Sequence, residues 1–242
     1  MIEWQDDKDV LGRMFVLTGN PLFNNLRNAI DNHDADFSDA LSWGQLKSKR
    51  WVISELEKLN PRLGTVYLCA GWYAVLSAML FESKVKFNKI RSFDIDESCA
   101  PIADTINRKY VTDGWKFKAT TLDIYNIEYP LTYDTVKANG EFQRLIDMPN
   151  TIINTSCEHI TDFACWYDKI PVGTLCVLQS NNYYDIDDHT NCSKDCHEFE
   201  QKAPMRSIFY KGTLELSKYL SLIHISEPTR RYAISYAVFC LK

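Results

Sequence analysis

From Thr65 to Tyr183 the chain alternates short apolar runs with stretches of helical spacing, and this alternation restricts the fold more than any other feature. TVYLCA (65–70), KIRSFDID (89–96), FKATTLDI (117–124), TIINTSC (151–157) and GTLCVLQSNNY (173–183) read as strands. WYAVLSAMLFES, SCAPIADTINRKYV and DFACWYDKI read as the helices between them, and RSIFYKGTLEL (206–216) as one more strand. Strands joined through helices pair in parallel, and right-handed crossovers lay the helices on both faces. The expected fold is α/β, a doubly wound, mostly parallel sheet with helices on both faces. Its strands then end on one edge, where such sheets bind ligands.

Ahead of this region, Leu46, Ile53, Leu56 and Leu59 recur at helical spacing between Ser42 and Asn60, and Pro61 marks the stop. Residues 1–41 are polar with turn signals and read as an N-terminal cover of short helices or loops. Residues 42–219 read as one α/β domain. The net charge of -5 excludes a general nucleic-acid-binding surface, and Lys47, Lys49 and Arg50 read as a solvated helix face. No run approaches the roughly 20 apolar residues of a membrane span. The N-terminus MIEWQDDKDV lacks a signal peptide's basic start, and Cys69, Cys157 and Cys176 sit in apolar runs. A cytoplasmic protein is expected, with no membrane partner.

Three positions fall on the carboxyl edge in order. The first is the turn around Ala70-Gly71, where small residues let backbone approach a ligand and the next helix offers unpaired N–H groups. The second is Asp94, 23 residues after Gly71, near the spacing at which an acid meets ribose hydroxyls. The third is Asp123 in TLDIYNI.

This order of loop, strand-two acid and strand-three acid resembles the class I S-adenosylmethionine (SAM)-dependent methyltransferases over roughly residues 42–216. The resemblance implies SAM as cofactor, with Cys69, Ala70, Gly71 and Trp72 facing its methionine portion. Asp94 would hold the ribose, Ile95 would pack on adenine, Asp123 with Ile124 would bind the adenine edge, and Asn154 would lie beside the cofactor. The family's acid-x-Gly-x-Gly-x-Gly loop is reduced here to Cys-Ala-Gly-Trp-Tyr-Ala, without the acid that usually precedes the glycines. A dinucleotide fits less well, because Trp72 and Tyr73 would crowd a pyrophosphate. The chain is also similar to methyltransferase-like proteins of tailed phages, which would place it in a host cytosol.

The segment IINTSCEHITDF carries the most chemistry. Glu158 and His159 form a candidate general acid–base pair, and Ser156 a substrate contact. After the next strand, QSNNYYDIDDHTNCSKDCHEF reads as a polar substrate loop, with Asn181, Asn182 and Tyr183 as acceptor-binding candidates. His189, Cys192, Cys196 and His197 invite a zinc reading, but their spacing matches no zinc knuckle and no metal ligand is assigned. Gln45, Lys49 and Trp51 are candidates to close the pocket. The expected activity is methyl transfer to a small-molecule or nucleoside-like acceptor. Transfer of SAM's aminocarboxypropyl group, as in enzymes similar to nicotianamine synthase, and a non-catalytic binding protein are the alternatives.

The tail stands apart. LSLIHISEPTR resembles the conceptual translation of a transposase-type sequencing adapter, and ISYAVFCLK resembles the rest of it read in frame. Residues 220–242 are therefore expected to be non-native, leaving 24 basic and 31 acidic residues in the rest. A closing strand, altered or missing, is the expected consequence for the sheet.

Overall fold

The first strand of the sheet is enclosed on both faces: Val66, Tyr67, Leu68 and Cys69 of β1 (Thr65–Cys69) are all buried. Such a strand needs neighbours on both sides and helices above and below. In the computed structural model, which describes residues 4–136 and 140–228, it has them. β2 (Lys89–Asp94) and β6 (Thr151–Asn154) flank it in parallel. β3 (Phe117–Thr121) continues from β2, and β7 (Leu175–Asn181) from β6, again in parallel. The sheet closes with β9 (Leu220–Pro228), antiparallel to β7 on one side and to β8 (Met205–Glu215) on the other. The order is β3-β2-β1-β6-β7-β9-β8.

The helices are α1 (Trp4–Thr18), α2 (Pro21–Asn32), α3 (Trp43–Leu59), α4 (Val75–Phe81), α5 (Cys99–Ile106), α6 (Arg108–Thr112), α7 (Phe163–Tyr167) and α8 (Cys196–Lys202). The long helix expected from Ser42 to Asn60 is α3. Ser42 caps its start by accepting from the Gln45 N–H, and Asn60 ends it in the left-handed conformation. Trp51 packs against the core under α3, so it is a structural aromatic.

Three helices are shorter than their spacing predicts, α7 among them, and two have a clear local cause. The stretch from Trp72 becomes helical only at Val75, because Trp72 and Ala74 have φ of 48° and 51° and cannot lie in a right-handed helix. The helix after β2 breaks at Asn107, whose Nδ2 donates to the carbonyls of Ala74 and Ala103. In the N-terminal cover, α2 packs on α5, with Asn25 Nδ2 donating to the Ile106 carbonyl. A hairpin, β4 (Leu131–Val136) with β5 (Phe142–Asp147), stands outside the main sheet and was not anticipated. Asp147 pins it underneath β2 by binding Lys89, Arg91 Nε (2.8 Å) and Tyr133 Oη.

The closing strand is in place, and the first part of the adapter-like tail supplies it; residues 229–242 lie outside the described residues. Ser221 joins a buried cluster in which Gln179 Nε2 donates to both Ser48 Oγ and Ser221 Oγ at 2.8 Å. His224 fits worse: its ring is fully enclosed, and neither nitrogen has a hydrogen-bond partner among the described residues. Burial pushes its pKa down, so folding demands the neutral ring. Stability is then full above the unfolded histidine's pKa and declines as pH falls below about 6.5. His224→Leu removes two unsatisfied nitrogens at similar volume. It is expected to stabilise the chain by about 1–3 kcal/mol and to flatten the loss of stability between pH 7 and 5. Denaturant melts at both pH values would expose the error if the variant were no more stable than the parent.

Candidate functional site

The five parallel strands bring their carboxyl ends to one edge, and the residues that follow them make the site. The loop after β1 is the most constrained part. Ala70, Trp72 and Ala74 all have left-handed φ, at 52°, 48° and 51°. Each such L-residue costs about 1–2 kcal/mol, so the surroundings must hold the loop. They do: the Gly71 N–H donates to the Phe93 carbonyl (2.9 Å), and the Trp72 N–H donates to Asp94 Oδ2 (2.7 Å). Asp94 Oδ1 also accepts from the Asp96 N–H at 3.2 Å.

Gly71 plays a different part from the one its sequence position suggests. Its φ is not left-handed, and a Cβ there would meet Ser92 Oγ at 2.2 Å and Leu68 Cγ at 3.1 Å. The glycine lets the loop lie on β2; the space is filled by protein rather than left for a ligand. Gly71→Ala is expected to destabilise the fold by about 1–3 kcal/mol, with most of the loss recovered in Gly71→Ala/Ser92→Ala. Thermal melts of the two variants check this, and a single variant as stable as the parent would refute it. Cys69 contributes backbone alone, since its side chain is in the core and burial pushes its thiol pKa up. The short α4, of seven residues, adds little helix-end field.

Beyond Asp94, Ile95 leaves 71% of its surface exposed at the edge. Asp123 Oδ1 accepts from the Tyr125 N–H at 2.9 Å, capping a 3-10 turn, and Ile124 is buried beneath it. At the end of β6, Asn154 is fully enclosed. Its Oδ1 accepts from the Ser156 N–H (2.8 Å), and its Nδ2 has no partner among the described residues.

The turn Cys157–His159 follows. Cys157 is buried, and burial pushes its thiol pKa up, the behaviour of a structural cysteine. Burial pushes the Glu158 carboxyl up to about 8, against a bond from its own backbone and the charge of Lys49. Burial likewise pushes Lys49 down to about 8, opposed by Glu158 and Asp39. Lys49 Nζ donates to Gln45 Oε1 at 2.5 Å, and the Lys49 charge is felt at Glu158. His159 is solvent-exposed, and burial of its inner part with the neighbouring His189 lowers its pKa.

After β7, two of the expected acceptor contacts use their amide oxygens internally. Asn181 Oδ1 accepts from the Tyr183 N–H and the Cys192 thiol, and Asn182 Oδ1 accepts from the Leu220 N–H (2.7 Å). The Tyr183 ring stacks on Tyr219 at 5.6 Å. Cys192, Cys196 and His197 do not converge: Cys196 Sγ donates to the Gly212 carbonyl, and His197 meets Gln201. His189 and Tyr219 join the site through loop and hairpin folding, for which the sequence carries no periodic signal. A cleft of about 710 Å³ is lined by residues 125–129, Met148, Lys169 and Pro171, none of them a candidate site residue.

Five parallel strands closed by an antiparallel strand inserted before the last form the Rossmann-like fold of class I SAM-dependent methyltransferases. No family model matches the sequence, and no curated protein matches it. Solved structures match its fold. Magnesium protoporphyrin IX methyltransferase (ChlM) from Synechocystis PCC 6803 with bound S-adenosylhomocysteine (SAH) is 14% identical, with 92% of this chain and 100% of that one covered at a TM-score of 0.53. N-methyltransferase NodS from Bradyrhizobium japonicum WM9 in complex with SAH is 8% identical, covering 86% and 99% at 0.53. A putative RNA methyltransferase from Pyrococcus horikoshii is 9% identical, covering 76% and 87% at 0.50. At these identities the likeness is one of fold. Among the described residues no helix is long and apolar enough to cross a membrane.

Proposed function

We propose that the protein is a SAM-dependent methyltransferase acting on a small-molecule or nucleoside-like acceptor, with residues 42–219 as its cofactor-binding unit. The observation that carries this reading is the bond from the Trp72 N–H to Asp94, which ties the strained loop to the strand-two acid. The residues present fit the cofactor. Asp94 stands at the edge to accept from ribose hydroxyls, and the exposed Ile95 offers an apolar face for adenine. Asp123 keeps a second carboxylate oxygen for the adenine edge, and the orphaned Asn154 Nδ2 lacks an acceptor that a ligand could provide.

When bound, SAM supplies a methyl group on a sulfonium, whose sulfur keeps the bonding pair as the methyl leaves. This chain's part is to align an acceptor lone pair with that methyl and to exclude water. Ser156 and Tyr183 would position the acceptor, and Glu158 or His159 would receive the proton it gives up. The solved structures with SAH bound support the cofactor assignment.

Incubating the chain with SAM and a panel of hydroxyl- and amine-bearing acceptors tests the reading. Methyl transfer yields SAH, whereas aminocarboxypropyl transfer yields methylthioadenosine and would replace this reading. Failure to bind either SAM or SAH by calorimetry would leave a fold without this function.

A further inference from the structure

The acceptor side of the edge holds a cluster that acid–base chemistry alone does not explain. One donor atom from each of Glu158, His159 and His189 lies within 4.8 Å of the other two. The segments that carry them are fastened together. The Asn191 N–H donates to the Glu158 carbonyl (2.8 Å), Asn191 Nδ2 to the Cys157 carbonyl (3.0 Å), and the Thr161 and Thr190 hydroxyls meet at 3.1 Å.

Both imidazoles are oriented in the same way. His159 Nδ1 contacts the Asp188 carbonyl at 3.2 Å, and His189 Nδ1 contacts the Tyr183 carbonyl at 2.6 Å. A carbonyl only accepts, so each neutral ring carries its proton on Nδ1 and keeps the Nε2 lone pair. Holding one ring nitrogen on a backbone carbonyl while the other binds an ion is the usual support of a metal-ligating histidine. The two rings stand edge to face, with centroids 4.6 Å apart.

Glu158 is the independent observation. It is 7% exposed, and its Oε2 has no hydrogen-bond partner among the described residues. Its Oε1 lies 4.0 Å from His159 Nε2, too far for a hydrogen bond and open enough for an ion between them. A buried carboxylate oxygen left without a partner is expensive unless a cation satisfies it.

We infer that Glu158, His159 and His189 form a binding site for one divalent first-row transition-metal ion. Two imidazoles with one carboxylate select such ions over magnesium or calcium, which prefer all-oxygen sets. Three protein donors leave coordination positions open, and the exposed flank of His159 gives access. Resting on the proposed methyl transfer, an open position would take an oxygen or nitrogen of the acceptor. Glu158 and His159 then act through the ion instead of as a free base.

The test uses the full chain stripped with chelator, titrated with Zn²⁺ by calorimetry and with Co²⁺ by visible absorption. One ion per chain is expected, with binding weakened at least about 100-fold in His159→Ala and His189→Ala, more than loss of a supporting contact brings. Glu158→Gln should weaken it as well, and His197→Ala, on α8 beside Gln201, should not. The rise in Tm on adding Zn²⁺ should appear in the parent and vanish in His189→Ala, which keeps the comparison valid if that variant is less stable. No stoichiometric binding, affinity in either alanine variant equal to the parent's, or loss in His197→Ala would overturn the site. SAH is titrated into the metal-free chain separately, so failure of the methyltransferase reading registers there and not in the metal isotherm.

Discussion

Asp94→Ala is expected to weaken SAH binding by about 10- to 150-fold, the 1.5–3 kcal/mol typical of hydrogen bonds to a charged group. The carboxylate sits between two demands. It takes the Trp72 N–H at 2.7 Å and the Asp96 N–H at 3.2 Å from its own protein, and it stands where ribose hydroxyls would meet the edge. Removing it costs the ligand its acceptor and frees a loop that holds three left-handed residues in place. Asp94→Asn keeps an oxygen for Trp72 and loses the charge, so it should fall between parent and alanine variant. Calorimetry with SAH and a melt of each variant separate the two effects. An unchanged Kd in a folded Asp94→Ala chain would remove Asp94 from the cofactor site and take the loop argument with it.

What could be read in advance divides along physical lines. β1, β2, β6 and β7 are buried on both faces, so their apolar runs announced them, and the parallel order followed from the helices between them. Asp94 and Asp123 were legible because strand ends can be counted. The β4–β5 hairpin was not, since what fixes it is Asp147 reaching Lys89 and Arg91 far back in the chain. The late start of α4 was hidden too, because no propensity forecasts left-handed backbone at Ala70, Trp72 and Ala74. The need for glycine at position 71 comes from inside the protein, because Ser92 occupies the space beside it, and that contact is between segments distant in the chain. At the chemistry end, His159 and His189 lie on separate loops, and hydrogen bonds from Asn191, between Thr161 and Thr190, and from His159 to the Asp188 carbonyl bring those loops together. Composition also did not show that Asn181 and Asn182 use their amide oxygens to fasten the loop after β7.

Asp147→Ala is expected to destabilise the fold by about 3–5 kcal/mol, the range for breaking a buried ion pair by removing one partner. Arg91 is 4% exposed, and its Nε lies 2.8 Å from Asp147 Oδ2, with Nη1 held by the Trp115 carbonyl at 2.8 Å. Without the carboxylate, that guanidinium stays buried with its charge uncompensated. Tyr133 Oη also donates to Asp147, so the hairpin would lose its hold on β2 together with the charge pair. Burial alone would push the Asp147 carboxyl up, but the bonds from Lys89, Tyr133 and Arg91 outweigh it and hold the pKa below the usual carboxylate range. A carboxyl depressed in the folded state stabilises above its unfolded pKa, about 3.9, and that contribution is lost as pH falls toward the folded value. The parent should therefore lose stability below about pH 4 more steeply than Asp147→Asn, which has no proton to take up. Urea melts from pH 7 to pH 3 measure both effects. A loss under 1 kcal/mol at pH 7 with parallel pH curves would mean that the hairpin is held by packing, and that Arg91 reaches water when its partner is gone.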